Sequence, residues 1–171
     1  FAEKGKKIVF LVYYHHHQKQ LVNNFYNKYN SLNSNIKKNI LIINADNIKT
    51  NQLTFGLDFE EIAILENNSK IFIHGAENEG GCRAIHEAIC CGCYLFVKDN
   101  LKGGGLDNLP QNGYTLYNYN NFDTQLNNAF LLQKKYKCEE KNIQNISSIY
   151  TFKKLMKHFY EKLNYKCSFE D

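Results

Sequence analysis

Two glutamates set eight residues apart are the residues of this chain whose type and spacing best suit chemistry. Glu79 stands directly before the pair Gly80 and Gly81, and Glu87 follows on the helix expected after them. Eight residues of α-helix advance about 12 Å, so the two carboxylates could bracket an extended nucleotide-diphospho-sugar. A carboxylate suits the hydroxyls of a sugar, including the adjacent hydroxyl pair of a ribose.

The start of the same helix favours an anion. Backbone N–H groups in the first turn of a helix have no partner within the helix, and the helix dipole favours negative charge there. The two glycines allow a ligand to approach the main chain closely. Arg83 lies in the first turn, and we expect it either to bind phosphate or to pair with Glu79 or Glu87.

Histidines and cysteines offer a metal-binding alternative that the sequence disfavours. Cys82, His86 and Cys90 recur every four residues and would share one helical face. No fourth ligand is evident, and buried cysteine is usually a small apolar residue. The histidine run 15–17 follows a predicted strand, so one of its rings is expected to line the ligand cleft rather than to bind a metal. We expect no metal and no other cofactor.

The elements that must position these residues follow a β-α-β pattern. Short apolar runs alternate with longer amphipathic stretches, which favours a parallel sheet. We predict strands at 7–14, 39–44, 53–55, 70–74, 94–97 and 114–117, and helices at 18–31, after Asp58, and at 80–91, 121–135 and 150–164. Asp58 is the expected N-cap of its helix, and Gly92 is the expected C-cap of helix 80–91. The prediction is an α/β domain with a doubly wound parallel sheet of about six strands and helices on both faces, which binds ligands at the carboxyl ends of its strands.

Composition and charge narrow the classes of function. A chain of 171 residues with 43% hydrophobic and 22% charged residues suits one globular domain over residues 1–171. The net charge of +4 and the single arginine argue against a nucleic-acid partner, but they are compatible with a phosphate-bearing ligand or with peripheral contact to an anionic membrane.

Cysteine usage and hydropathy indicate a compartment. Two of the six cysteines are adjacent, which is not typical of a disulfide framework. The chain shows no signal peptide and no apolar run long enough to span a membrane. We therefore predict a cytoplasmic protein. Because the chain begins with Phe1 rather than Met, we expect it to be a piece of a longer polypeptide.

The segment from Glu79 to Gly92 resembles the E-x7-E segment of glycosyltransferase family 4, whose enzymes have the GT-B fold. The matching residues are Glu79, Gly80, Glu87, Ala88 and Gly92, with an apolar strand after them. The resemblance extends, more weakly, over nearly all of the chain. It implies the C-terminal, nucleotide-sugar-binding half of a retaining hexosyltransferase, which takes a UDP- or GDP-sugar without a metal. The acceptor would be bound by an N-terminal domain or a partner chain.

The resemblance also assigns roles to individual residues. Glu79 would contact the transferred sugar, as the catalytic residue of this half, and Glu87 would bind the ribose. The N–H groups of Gly80, Gly81 and Cys82 would face the sugar and the diphosphate.

Two further loops are involved in the resemblance. Lys19 is similar to a family lysine that reaches the diphosphate, but the position of the family's preceding arginine is taken by Tyr14 or His15. A missing cation weakens the stabilisation of a leaving diphosphate, so a non-catalytic nucleotide-binding or scaffold domain of the same fold stays open. The glycine loop 102–105 would face the donor, as in the family, or form a flexible connection. A receiver-like domain is disfavoured because Asp46 stands nearly alone as an acidic residue at the strand ends.

Overall fold

The computed structural model of the chain describes residues 2, 5–12, 19–44, 57–79, 83–107 and 109–141. Within them, five helices and five strands belong to two compact units, which comprise residues 1–62 and residues 63–171. The predicted α/β class with parallel strand pairing is confirmed. None of the helices in this part of the chain is both long and apolar enough to cross a membrane.

The first unit contains a two-stranded parallel sheet. Strand β1 (Ile8–Val12) pairs with β2 (Ile40–Asn44), and helices α1 (Lys19–Ser31) and α2 (Ser34–Lys37) lie between them in the chain. In the register of this sheet, Ile8 lies beside Ile40. The ring of Phe25 on α1 meets the ring of Phe10 edge to face, with 5.2 Å between the ring centroids. A helix therefore packs on the first sheet through aromatic contact.

The second unit contains a three-stranded parallel sheet. Helix α3 (Phe59–Asn67) crosses the boundary between the units and leads to β3 (Ile71–His74), α4 (Arg83–Cys90), β4 (Tyr94–Lys98), β5 (Tyr114–Tyr117) and α5 (Phe122–Leu132). The strand order is β3-β4-β5, so β4 is the central strand. All five residues of β4 are buried, as its uninterrupted apolar run predicts for a strand covered on both faces.

The two faces of this sheet carry different cores. On one face, Ile85, Ala88 and Ile89 of α4 pack in a cluster with Leu95 and Val97 of β4. On the other face, which alternate residues of a strand must meet, the core is aromatic. Phe96 stacks on Tyr117 with 4.3 Å between centroids, and Phe122 of α5 meets both rings edge to face. Helices α4 and α5 thus cover opposite faces of β4.

Two predicted helix ends are confirmed. Asp58 and Glu61 form a reciprocal capping box at the start of α3: the Glu61 N–H donates to the Asp58 carboxylate at 2.8 Å, and the Asp58 N–H donates to the Glu61 carboxylate at 3.0 Å. Gly92 ends α4 with a φ of +77°. The N–H of Gly92 donates to Ile89 and that of Cys93 to Ala88, which is the Schellman arrangement.

The prediction of one sheet with about six strands is wrong for the described residues, which form a two-stranded sheet and a three-stranded sheet. Apolar runs report burial, and they do not specify which strand edges exchange hydrogen bonds. The predicted strand at 53–55 and the predicted helix at 150–164 lie outside the described residues. The predicted helix at 80–91 is described from Arg83 onward.

Candidate functional site

The carboxyl ends of β3, β4 and β5 place polar groups at one edge of the second sheet. These three strands end in His74, Lys98 and Tyr117. Because parallel strands run in the same direction, their ends and the loops after them share an edge, where open α/β sheets bind ligands. All three side chains are buried, so they are placed to support the loops at this edge rather than to contact a ligand.

Glu79 is positioned by His74. The loop after β3 turns back so that Oε1 of Glu79 lies 3.5 Å from Nε2 of His74. Burial lowers the pKa of His74 below its ordinary value of 6.5, although the charge of Glu79 and a hydrogen bond to it oppose the shift. The imidazole is therefore neutral near pH 7. The Glu79 side chain is 40% exposed, so its carboxylate stays accessible to a ligand.

The glycine loop 102–105 lies directly beside Glu79. The N–H of Glu79 donates to the carbonyl of Lys102 at 3.1 Å, and the N–H of Lys102 donates to the carbonyl of Glu77 at 2.9 Å. Gly103 has a φ of +97°, and a Cβ there would lie 1.5 Å from the carbonyl oxygen of Glu79. The loop is therefore fixed against the segment that carries Glu79, rather than being only a flexible connection.

Glu87 is held by Arg83 one helical turn earlier. Nε of Arg83 lies 2.8 Å from Oε1 of Glu87, in the i,i+4 arrangement that suits helical ion pairs. Of the two roles predicted for Arg83, the structure thus shows pairing with Glu87. An exposed pair of this kind contributes about 0.2–0.5 kcal/mol, so it favours one orientation of Glu87. The Glu87 side chain is 31% exposed and stays open to a polar ligand.

Lys98 is a buried cation at the centre of this edge. Its side chain is only 3% exposed, and its Nζ forms an ion pair with Oε1 of Glu77 in the loop after β3. The same Nζ lies 3.8 Å from the ring centroid of Tyr119, in the loop after β5. Burial alone would lower the pKa of Lys98, but hydrogen bonds to Glu77 and Tyr119 and the charge of Glu77 outweigh it and raise the pKa. Lys98 therefore stays charged.

Sequence reasoning missed Lys98, Glu77 and His74. A lysine that closes an otherwise apolar strand is a weak signal, because an exposed strand end would look the same. The partners of Lys98 are 21 residues away in both directions, a separation at which no local pattern connects two side chains.

The remaining predicted site residues lie outside the described residues or in the first unit. His15, Gly80, Gly81 and Cys82 lie outside the described residues. Lys19 is the first residue of α1, in the first unit. Their predicted roles therefore remain predictions. Among the residues that the structure describes, no group of three or more histidine, cysteine or acidic side chains is arranged to hold a metal ion.

Two thiols and one carboxyl group lie at the amino end of β4. Cys93 and Glu66 are buried there, and Cys91 is half-buried. Burial raises the pKa of Cys91 to about 11 and that of Cys93 to about 12, so both thiols are protonated. Burial also raises the pKa of Glu66 to about 7, against a hydrogen bond from the Cys91 thiol that lowers it. Cys93 belongs to the core, and the half-buried Cys91 packs against it. Cys90 is exposed, so the expectation that it packs as a core residue is wrong.

A surface cavity of about 400 Å³ lies on the same side, away from the candidate site. Its lining includes Lys70 before β3, Gly92 before β4 and Tyr136 after α5. These positions belong to the amino ends of the strands, so the cavity does not coincide with the edge that carries Glu79. Glu79, in the loop after β3, and Glu87, on α4, are both partly exposed. Glu87 is close enough to the amino end of β4 for its charge to act on Glu66 and Cys91.

No protein-family model matches the chain, and comparison with curated proteins and with solved structures gives no match.

Proposed function

We propose that this chain is the nucleotide-sugar-binding half of a retaining glycosyltransferase. In the intact enzyme, a hexosyl group of a UDP- or GDP-sugar would pass to an acceptor bound by an N-terminal domain or a partner chain. The observation that carries the proposal is the strand–loop–helix unit from β3 to α4. It presents Glu79 and Glu87 as partly exposed carboxylates, with the glycine loop fixed beside the first of them.

Glu79 is suited to contact the sugar because it is both accessible and oriented. A neutral His74 can donate an N–H to the Glu79 carboxylate. Such a donor fixes the rotamer of the acceptor, which is how supporting residues preorganise a binding site. Sugar hydroxyls can then donate to the exposed side of the carboxylate. Within this proposal Glu79 is the catalytic residue of the half enzyme.

Glu87 is suited to hold the ribose because the Arg83 ion pair limits its motion. An anchored carboxylate loses less side-chain entropy when a ligand binds than a mobile one does. The predicted anion site at the N–H groups of Gly80, Gly81 and Cys82 belongs to the same proposal, with the diphosphate between the sugar and the ribose. Lys19 and His15 are proposed as further donor contacts.

The proposed architecture is one Rossmann-like half of a GT-B fold, acting without a metal or other cofactor. The proposed compartment is the cytoplasm, because its reducing environment keeps thiols free, and cysteines such as Cys91 and Cys93 are free thiols. The net charge of +4 suits a phosphate-bearing donor and peripheral contact with an anionic membrane, with no nucleic-acid partner.

A second candidate is a non-catalytic nucleotide-binding or scaffold domain with the same fold. It is favoured by the pairing of Arg83 with Glu87 and of Lys98 with Glu77. Cations neutralised in this way add little to the stabilisation of a leaving diphosphate. Glycosyl transfer or donor hydrolysis by the full-length protein would exclude this candidate.

The test is calorimetric titration of the chain with UDP, GDP and their sugars. Glu87→Gln removes the charge of the ribose acceptor while keeping its size, and Asp123→Asn makes the same change at an exposed site on α5. A hydrogen bond to a charged group contributes about 1.5–3 kcal/mol, so we expect Glu87→Gln to weaken binding roughly 10- to 100-fold and Asp123→Asn to leave it unchanged. If no nucleotide or nucleotide sugar binds the wild-type chain at millimolar concentration, the proposal is wrong.

A further inference from the structure

Lys98 joins all three loops at the carboxyl edge of the second sheet. It closes the central strand β4, its ammonium pairs with Glu77 from the loop after β3, and it lies against Tyr119 from the loop after β5. A buried ammonium is costly unless a carboxylate or other partner compensates it. Because Glu77 is the carboxylate that pairs with Lys98, moving Glu77 away would leave a buried charge uncompensated. The ion pair therefore restrains the loop after β3.

That restraint reaches Glu79 through the backbone. The carbonyl of Glu77 accepts from the N–H of Lys102, and the carbonyl of Lys102 accepts from the N–H of Glu79. Asn78 and Lys102 form a parallel bridge between these two bonds. Glu77, whose side chain pairs with Lys98, therefore lies two residues before Glu79 and belongs to the same short hydrogen-bonded ladder.

We propose that Lys98 is a positioning residue, which acts through Glu77 to hold the 75–79 loop and with it the carboxylate of Glu79. Lys98 does not touch the ligand, because its side chain is buried. Its effect on a sugar donor rests on the proposed function, whereas its effect on the loop does not. The expected consequence is that loss of the ion pair loosens the ladder to Lys102 and lets Glu79 leave its position beside His74.

Amide hydrogen exchange measured by NMR tests the effect on the loop without any ligand. We expect Lys98→Met and Glu77→Gln to speed exchange of the Glu79 and Lys102 amides by about tenfold or more, since local opening becomes easier. The Leu95 amide, which donates to Gly113 between β4 and β5, is expected to keep its rate. Lys98→Arg, which retains the cation, is expected to restore slow exchange. Lys70→Met removes an exposed lysine before β3 and serves as the matched control.

Unchanged exchange of both amides in the two variants overturns the inference, whether or not a nucleotide binds. Because Glu77 is 51% exposed and the amide oxygen of Gln can still accept from Lys98, Glu77→Gln is the milder of the two variants and replaces Lys98→Met if that variant does not fold. The effect on the ligand is measured as the ratio of the affinity for UDP-sugar to the affinity for UDP, and as the same ratio for GDP-sugar and GDP. We expect Lys98→Met and Glu77→Gln to lower this ratio to the value that Glu79→Gln gives, while the affinity for the free nucleotide is retained. A loss of nucleotide affinity equal to the loss of sugar-donor affinity would contradict a positioning role.

Discussion

Gly103 is a residue at which the backbone admits no side chain. Its φ of +97° lies in the left-handed region, and a Cβ would overlap the carbonyl oxygen of Glu79 at 1.5 Å. Gly104 has a similar φ of +82°, but a Cβ there would lie 3.3 Å from Oδ2 of Asp107, a flexible side chain. The two positions share the conformational strain, and only Gly103 adds a clash with main chain. Comparing them isolates the contact between the glycine loop and Glu79.

We expect Gly103→Ala to destabilise the chain more than Gly104→Ala does. A left-handed conformation costs a residue with a Cβ roughly 1–2 kcal/mol, which both variants incur. Gly103→Ala must also displace the Glu79 carbonyl, so its loss in the free energy of unfolding should be at least about twice as large. Urea denaturation of both variants and the wild type measures this difference. Equal losses would show that the loop does not pack against Glu79 in the way described.

Glu79 and Glu87 could be selected from the sequence because their spacing along one helix and its loop is a local pattern. The Arg83–Glu87 pair was among the predicted alternatives for the same reason, since residues four apart are neighbours on a helix. The Glu77–Lys98 pair could not be predicted, because only the three-dimensional order of the strands brings these residues together. The residues that support the candidate site, such as Lys98 and Glu77, are therefore harder to predict from the sequence than Glu79, which they support.

Helix and strand positions could be predicted where neighbouring residues determine them. The apolar run 94–97 became the buried strand β4, and Asp58 and Gly92 were identified as helix ends from residue types alone. Helix α2 was missed because its four residues are too few to show a helical period. The division into two sheets was missed because it depends on hydrogen bonds between segments distant in the sequence.

At the scale of the element, the capping box of α3 predicts a measurable contribution from Asp58. Asp58→Ala removes the acceptor for the Glu61 N–H and should lower the free energy of unfolding by about 1 kcal/mol. Glu60→Ala changes an exposed acidic residue in the same turn and should cost clearly less. Urea denaturation followed by far-UV circular dichroism compares the two variants. If Asp58→Ala costs no more than Glu60→Ala, the side-chain cap does not stabilise α3.

At the scale of the whole molecule, two buried groups give the stability opposite dependences on pH. Burial lowers the pKa of His74 from 6.5, so below that pH the unfolded chain binds a proton that the folded chain does not. Stability from this group therefore falls as the pH falls. Burial raises the pKa of Glu66 from 4.5 to about 7. Between these values the folded chain keeps a proton that the unfolded chain releases, so stability from Glu66 falls as the pH rises.

Glu66→Gln separates the two contributions. Glu66 is buried, and burial, with a smaller contribution from the charge of Glu87, disfavours its ionised form. Within the described residues its Oε2 has no hydrogen-bond partner. An amide keeps the size of the side chain without an ionisable proton. The difference in unfolding free energy between variant and wild type should therefore grow in favour of the variant from pH 4.5 to about 7, by up to roughly 3 kcal/mol.

Urea denaturation at pH values across that window measures the difference, and Glu60→Gln, in an exposed position on the same helix, is the matched control. The control leaves Glu66 in place, so its unfolding free energy should follow the pH dependence of the wild type. Glu66→Gln still contains His74, so the unfolding free energy of this variant should rise with pH near 6.5. In that range the unfolded chain releases the His74 proton that the folded chain does not bind. A Glu66→Gln difference that is constant over the whole window would mean that Glu66 is ionised in the folded chain at ordinary pH. The Glu66 carboxylate would then have to be solvated or paired with a cation, rather than buried beside Cys91.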